Sequence, residues 1–176
     1  MAKAKEKPAL PLMLKQSGLR QVRMLSLVRR VMNTLVISAF PSTGKSYFCR
    51  HTNKKVLDSD SSHFSWIEKG IRNPDFPQNY INHIKENIGH VDIILVSSHK
   101  VVRDALVINN INFLLVYPTK DQKEDYLLRC NIRGSDKQFI EMLNNKWDSF
   151  LDELRNQKSC IHIPLFQGEY LSDRIK

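Results

Sequence analysis

The segment Leu35-Val36-Ile37-Ser38-Ala39-Phe40-Pro41-Ser42-Thr43-Gly44-Lys45-Ser46 constrains the fold more than any other part of the chain. An apolar, β-branched run reads as a buried strand, and a loop closed by Gly-Lys-Ser follows it. Tyr47 to Asn53 then has helix-compatible composition. This is the phosphate-binding layout G-x-x-x-x-G-K-[ST], with Ala39 standing where the first Gly is expected. Loop N–H groups and the start of the helix offer donors and a favourable dipole to a polyphosphate. Pro41, Ser42, Thr43, Gly44, Lys45, Ser46 and Tyr47 are therefore the candidate nucleotide-binding residues. Lys45 is expected to reach the β- and γ-phosphates of ATP, and the Ser46 hydroxyl to ligate Mg²⁺. A Cβ at Ala39 excludes left-handed backbone there, but Ala is the smallest such change and a working loop is expected.

The 176 residues suit one domain with a real core. No apolar run approaches the ~20 residues of a membrane span. Cys49, Cys130 and Cys160 are odd in number and far apart, which indicates neither a zinc site nor a disulfide framework. A reduced, cytoplasmic setting fits them best. The net charge of +9 suggests a nucleic-acid partner until its distribution is examined. Lys3, Lys5, Lys7, Lys15, Arg20, Arg23, Arg29 and Arg30 face Glu6 alone in residues 1–31, and the remainder is nearly neutral. A basic face across the whole domain is thus not supported. Residues 1–31 read as a basic leader: a targeting peptide, an arm touching nucleic acid, or, the favoured reading, an upstream extension outside the fold. Residues 32–176 form the domain, with its first strand over Asn33 to Ile37.

Val56 and Leu57 read as a short second strand, from whose end Asp58 and Asp60 emerge. Ligands of parallel sheets sit outside the carboxyl ends of the strands, so this pair should share the loop's crevice. A strand period of two would set both carboxylates on one side. One of the two is a candidate to hold Mg²⁺ through water, and the other to orient or deprotonate an acceptor; the alternative is an Asx turn capping the next helix. The pattern predicts helices over His63 to Lys69 and Pro77 to Ile88, joined by a proline-bearing loop. Phe64, Trp66, Arg72 and Phe76 could offer stacking faces and a cation, with Trp66 and Phe76 weighted toward packing.

Val91 to His99 is the strongest apolar run and reads as a central buried strand. It ends in Ser97-Ser98-His99 rather than the Asp expected there, which leaves Asp58 or Asp60 as the acidic metal partner. His99 is a candidate for meeting an acceptor phosphate, or else simply precedes the helix Lys100 to Asn110. Asn112 to Pro118 is a further strand, and Asp121 to Ile132 a helix. Arg129 and Arg133 lie four apart, on one helical face, just before Gly134-Ser135. That is where a mobile lid places cations on a transferring phosphate; the alternative is a solvated stripe paired with Glu124 and Asp125. Ser135 to Asn156 is a long amphipathic helix, with Trp147 structural, and Cys160 to Leu165 is the last strand.

The order strand, P-loop, helix, strand, Asp-x-Asp, apolar strand, double-Arg helix resembles the nucleoside monophosphate kinase and shikimate kinase group. The closer likeness is to small P-loop kinase-like proteins encoded by bacteriophages. Ala39 to Phe48, Val56 to Trp66 and Val91 to Val102 carry it. The resemblance implies a three-layer α/β/α P-loop NTPase sandwich with about five parallel strands. It also implies transfer of the ATP γ-phosphoryl to a nucleotide or nucleoside, a deoxynucleoside monophosphate being favoured. In that reading Lys45, Asp60, Arg129 and Arg133 are catalytic, and Asp60, Phe64, Arg72 and His99 bind the acceptor. Ser46 and Asp58 hold Mg²⁺. The alternatives are a 5′-hydroxyl polynucleotide kinase gripping its strand with the leader, and a nucleotide-binding regulator without phosphotransfer.

Overall fold

A computed structural model describes residues 34–176. The basic leader and Asn33 lie outside the described residues. Strand β1 (Leu35–Ala39) is flanked on both sides, by β5 (Ile93–Ser97) and by β6 (Phe113–Pro118), both parallel to it. Strand β2 (Val56–Asp58) pairs with the outer side of β5, and β7 (Ile161–Leu165) with β6. Among the described residues the main sheet is therefore five-stranded and parallel, in the order β2-β5-β1-β6-β7.

Period-two alternation sends side chains to two separate cores. Val36, Ile94, Val96, Phe113, Leu115 and Tyr117 face α3 (Gln78–Asn87), α4 (Lys100–Ile108), α5 (Lys123–Ile132) and α6 (Lys137–Arg155). Ile37, Ala39, Leu95, Val116 and Leu165 face α1 (Lys45–His51) and α7 (Leu171–Arg174). Strands buried on both faces explain the nearly unbroken apolar runs. The architecture is the expected three-layer α/β/α sandwich around a five-stranded parallel sheet. Among the described residues no helix is long and apolar enough to cross a membrane.

The chain leaves β1 for one edge, returns between, and then crosses to the other side. Strand order thus reverses at β1, and the crevice for ligands opens at its carboxyl end. β1, not the run ending at His99, is the middle strand; β5 is interior beside it.

The segment after β2 departs from the sequence expectation. His63 to Lys69 is not one helix. A short α2 (Ser62–Ser65) gives way to β3 (Trp66–Glu68), paired antiparallel with β4 (Ile71–Arg72). Gly70, at φ 89°, turns this hairpin. The helix expected from Asp121 starts with a 3-10 turn over Lys120–Gln122. Trp147 is structural, as expected: it is buried, its Nε1 donates to the Lys120 carbonyl at 2.7 Å, and its ring meets Phe40 edge-on.

Candidate functional site

Ala39 is the last residue of β1 and its backbone is not left-handed, so its Cβ costs the loop nothing. The positive φ angles fall three residues later and beyond, at Ser42 (61°) and Gly44 (93°). Ser42 tolerates this with its hydroxyl 3.1 Å from the Cys130 thiol, while Thr43 Oγ1 ties the loop to the Phe40 carbonyl at 2.8 Å. Among the described residues, no backbone or side-chain acceptor meets the N–H groups of Ser42 through Tyr47. A curved row of free amides is a ready anion cradle.

Lys45 lies at the base of that cradle. Its Nζ donates to the carbonyls of Ala39 (2.9 Å) and Phe40 (3.1 Å). Burial pulls its pKa from 10.5 down to about 8, with Asp58 and Asp60 opposing and the Arg133 charge adding to the fall. Asp58 at the end of β2 is pushed up by burial and by Asp60, against the pull of Lys45. The expected strand alternation does not reach Asp60, because β2 ends at Asp58. Asp60 instead forms the Asx turn, its Oδ1 accepting from Ser62 N–H at 2.9 Å. It nevertheless stays within electrostatic reach of Lys45. Beneath this turn the Tyr80 hydroxyl donates to the Ser59 carbonyl at 2.7 Å, holding the Asp-Ser-Asp backbone from α3.

His99 precedes α4 as its N-cap residue without a side-chain capping bond. Burial lowers its pKa, and the charges of Arg72, Lys45 and Arg103 lower it further. Arg72, Lys45 and Asp60 thus lie within electrostatic reach of His99, and Arg133 within reach of Lys45. Arg133 is exposed, with Nε donating to Ser135 Oγ at 2.8 Å.

Two readings change, those of Arg129 and Trp66. Arg129 is not a free cation beside Arg133: it pairs with Asp125 at 2.6 Å and lies over the rings of Tyr126 (4.7 Å) and Tyr170 (4.0 Å). Four-residue spacing puts both arginines on one face but does not say which one a carboxylate claims. Phe64 is partly buried, its ring tilted against Tyr80 and His83. Trp66, weighted toward packing, is 40% exposed with Arg72 stacked 3.9 Å over its ring. Tyr47 is exposed and stacks on His51 at 3.9 Å. Ser46 is exposed on the first turn of α1.

No protein-family model matches the sequence, and a search of curated proteins finds no match. Among solved structures, the chain is similar to polyphosphate kinase 2 from Arthrobacter aurescens TC1. The identity is 10% and the TM-score 0.43, over 89% of this chain and 73% of that one. At that distance the likeness bears on neither substrate nor mechanism.

Two residues with no motif signal complete the site. Tyr170 covers Gly44, and the Leu171 N–H donates to the Thr43 carbonyl at 2.9 Å, so the C-terminal segment straps the loop. Arg103, fully buried on α4, donates to the Ser98 carbonyl at 2.9 Å and pairs with Glu153 of α6. The signal for Arg103 was faint: a cation three residues before Leu106, on the apolar face of a helix.

The depressed Lys45 pKa sets a pH dependence. Its charged fraction falls as pH rises through about 8, and a bound polyphosphate favours the charged form. Binding of an ATP analogue is expected to weaken above that pH and to take up a proton there. Calorimetry at about pH 9 in two buffers of different ionisation enthalpy measures the uptake, which should vanish near neutrality and in Lys45→Met.

Proposed function

We propose that this chain is an ATP-dependent phosphotransferase acting on a small nucleotide or nucleoside, with a deoxynucleoside monophosphate favoured. The observation that carries the reading is the meeting of Lys45, under a row of free amides, with Asp58 and Asp60 from the next strand end. A loop that only bound an anion would gain nothing from two carboxylates beside it.

The residues fit Mg²⁺ with ATP. One hydroxyl, Ser46, and one carboxylate, Asp58 through water, suit an ion that keeps several waters and is otherwise held by phosphate oxygens. When bound, Mg²⁺ neutralises charge on the phosphates. Lys45 leaves its carbonyl partners for the β- and γ-phosphates, and the amides of Ser42 to Tyr47 hold the rest of the chain of phosphates. In the transfer an acceptor oxygen forms a bond to the γ-phosphorus while the bond to the β,γ-bridging oxygen breaks. The bonding pair leaves with ADP. A hydroxyl acceptor gives its proton to Asp60; an ionised phosphate acceptor has none to give. Arg133 offsets charge on the transferred group, and Arg72 with His99 meets the acceptor.

ADP release over a panel of nucleosides, monophosphates and a 5′-hydroxyl oligonucleotide tests this. Asp60→Asn is expected to cost roughly 10²–10⁴-fold with hydroxyl acceptors and far less with phosphate acceptors. Release that no acceptor stimulates would count against phosphotransfer altogether.

The polynucleotide reading has one observation in its favour. Arg72 stacked on exposed Trp66, beside His99, is the kind of surface on which a nucleic-acid strand stacks. In that case oligonucleotides outperform mononucleotides and the advantage falls with salt.

A further inference from the structure

The two faces of the main sheet are unequally covered. Helices α3 to α6, of 9 to 19 residues, lie on one face. Among the described residues the other face has only α1, of 7 residues, and α7, of 4. On that thinner side burial fades toward the amino ends of the strands. Ala39, Val116 and Leu165 are buried, Leu35, Leu114 and Ile163 are half-buried, and Ile161 is 63% exposed. Strand pairing makes these positions contiguous, with Leu114 opposite Ile37 on one side and Ile161 on the other. An open groove of about 760 Å³ wraps the same amino ends, with Thr34, Leu35, Ile111, Leu114, Cys160 and Ile161 among its walls. No wall residue is acidic or basic. A contiguous apolar surface marks an interaction site, and uncharged walls give a phosphate or a nucleic-acid backbone no ionic partner.

The point where the chain enters the domain singles out the occupant. Residues 1–33, outside the described residues, join it at Thr34, which is itself in the groove wall. Thr34 Oγ1 donates to the Val91 carbonyl at 2.6 Å and accepts from the Gly89 N–H at 2.8 Å, so the entry point is fixed. Just upstream, Met24, Leu25, Val28, Val31 and Met32 recur at i, i+1, i+4, i+7 and i+8. On a helix that spacing makes one apolar stripe, and Arg20, Arg23, Arg29 and Arg30 fall outside it. A helix from Met24 to Met32 is about 13 Å long, and three neighbouring strands span about 10 Å, so stripe and groove match in size. So short a helix is marginal alone in water and needs a surface to pack on. Tethered beside the groove, it has an effective concentration in the millimolar range, which a second copy or a separate peptide lacks.

We infer that residues 24–32 dock in this groove as a helix. Met24, Leu25, Val28, Val31 and Met32 lie on Leu35, Leu114 and Ile161, and the arginines face solvent. The leader then thickens the sparsely covered layer of the sandwich instead of lying outside the fold. The inference is independent of phosphotransfer.

Hydrogen exchange on the full chain without ligand tests it. The amides of residues 25–32 are expected to exchange at least about tenfold more slowly than in a free peptide of the same sequence, at any protein concentration. Ile161→Asp puts a carboxylate into the groove from a side chain already largely in water, and should abolish that protection while the amides of β1 and β5 keep theirs. Val28→Asp, which alters no residue of the described domain, should do the same, and Arg23→Ser should not. Wild-type amides that exchange at free-peptide rates overturn the inference. So does protection that survives both aspartate variants, and so does protection lost on dilution, which would make the occupant a second copy. Should Ile161→Asp unfold the domain, Val28→Asp decides alone.

Discussion

Lys45→Met is expected to lower acceptor-dependent ADP release by roughly 10²–10³-fold, the usual loss when one preorganised donor to a developing charge is removed. The fold should not suffer. Lys45 Nζ serves the carbonyls of Ala39 and Phe40, and Thr43 Oγ1 already satisfies the second. The native state also holds a charged ammonium at a cost, because burial lowers its pKa from 10.5 to about 8. With the folded value below the unfolded one, the unfolded chain binds more protons between those two pH values, so wild-type stability rises across that window. Below about 8 the penalty is fully present, and methionine removes it. Thermal melts of the two proteins should therefore differ most near neutrality, with the variant equal or higher, and converge toward pH 10. A variant that melts well below wild type at neutral pH would show Lys45 to be a structural strut instead of a charge held ready for a ligand.

The sequence made this much legible because local chemistry fixed it. Apolar runs buried on both faces had to be interior parallel strands, and the Gly-Lys-Ser turn after the first of them had to lie at the carboxyl end of the sheet. Gly44 at φ 93° and the close loop follow from that alone. Asp58 was placed correctly because it ends a strand. Asp60 was harder, since an Asx turn and a role at the crevice use the same carboxylate, and the structure has it in the turn and near Lys45 together.

Long-range partners were not legible. Which of Arg129 and Arg133 stays free depends on Asp125 and on Tyr170, which arrives from the far end of the chain. Strand β3 was misread as helix and β4 as loop, because Trp66-Ile67-Glu68 lacks a clear period and Gly70 decides the matter only once the strands pair.

The second large effect concerns Gly44. Gly44→Ala places a Cβ 3.2 Å from Tyr170 Cδ1 in a backbone with φ of 93°. Two separable penalties result. The left-handed backbone costs about 1–3 kcal/mol for any side chain. The ring contact adds to it, because Tyr170 is held by the adjacent Leu171 bond to Thr43 and by the Arg129 stack, and so cannot simply swing away. In a domain of this size a loss of 1–3 kcal/mol lowers Tm by roughly 2–12 °C. Nucleotide affinity should fall further than stability does, since the loop escapes both penalties by turning its amides away from the crevice. A double-mutant cycle with Tyr170→Ala separates the terms. Removing the ring should return part of the lost Tm but little of the lost binding, because the backbone strain at residue 44 survives. If Gly44→Ala binds an ATP analogue as tightly as wild type, the amides of this loop are not what holds the phosphates.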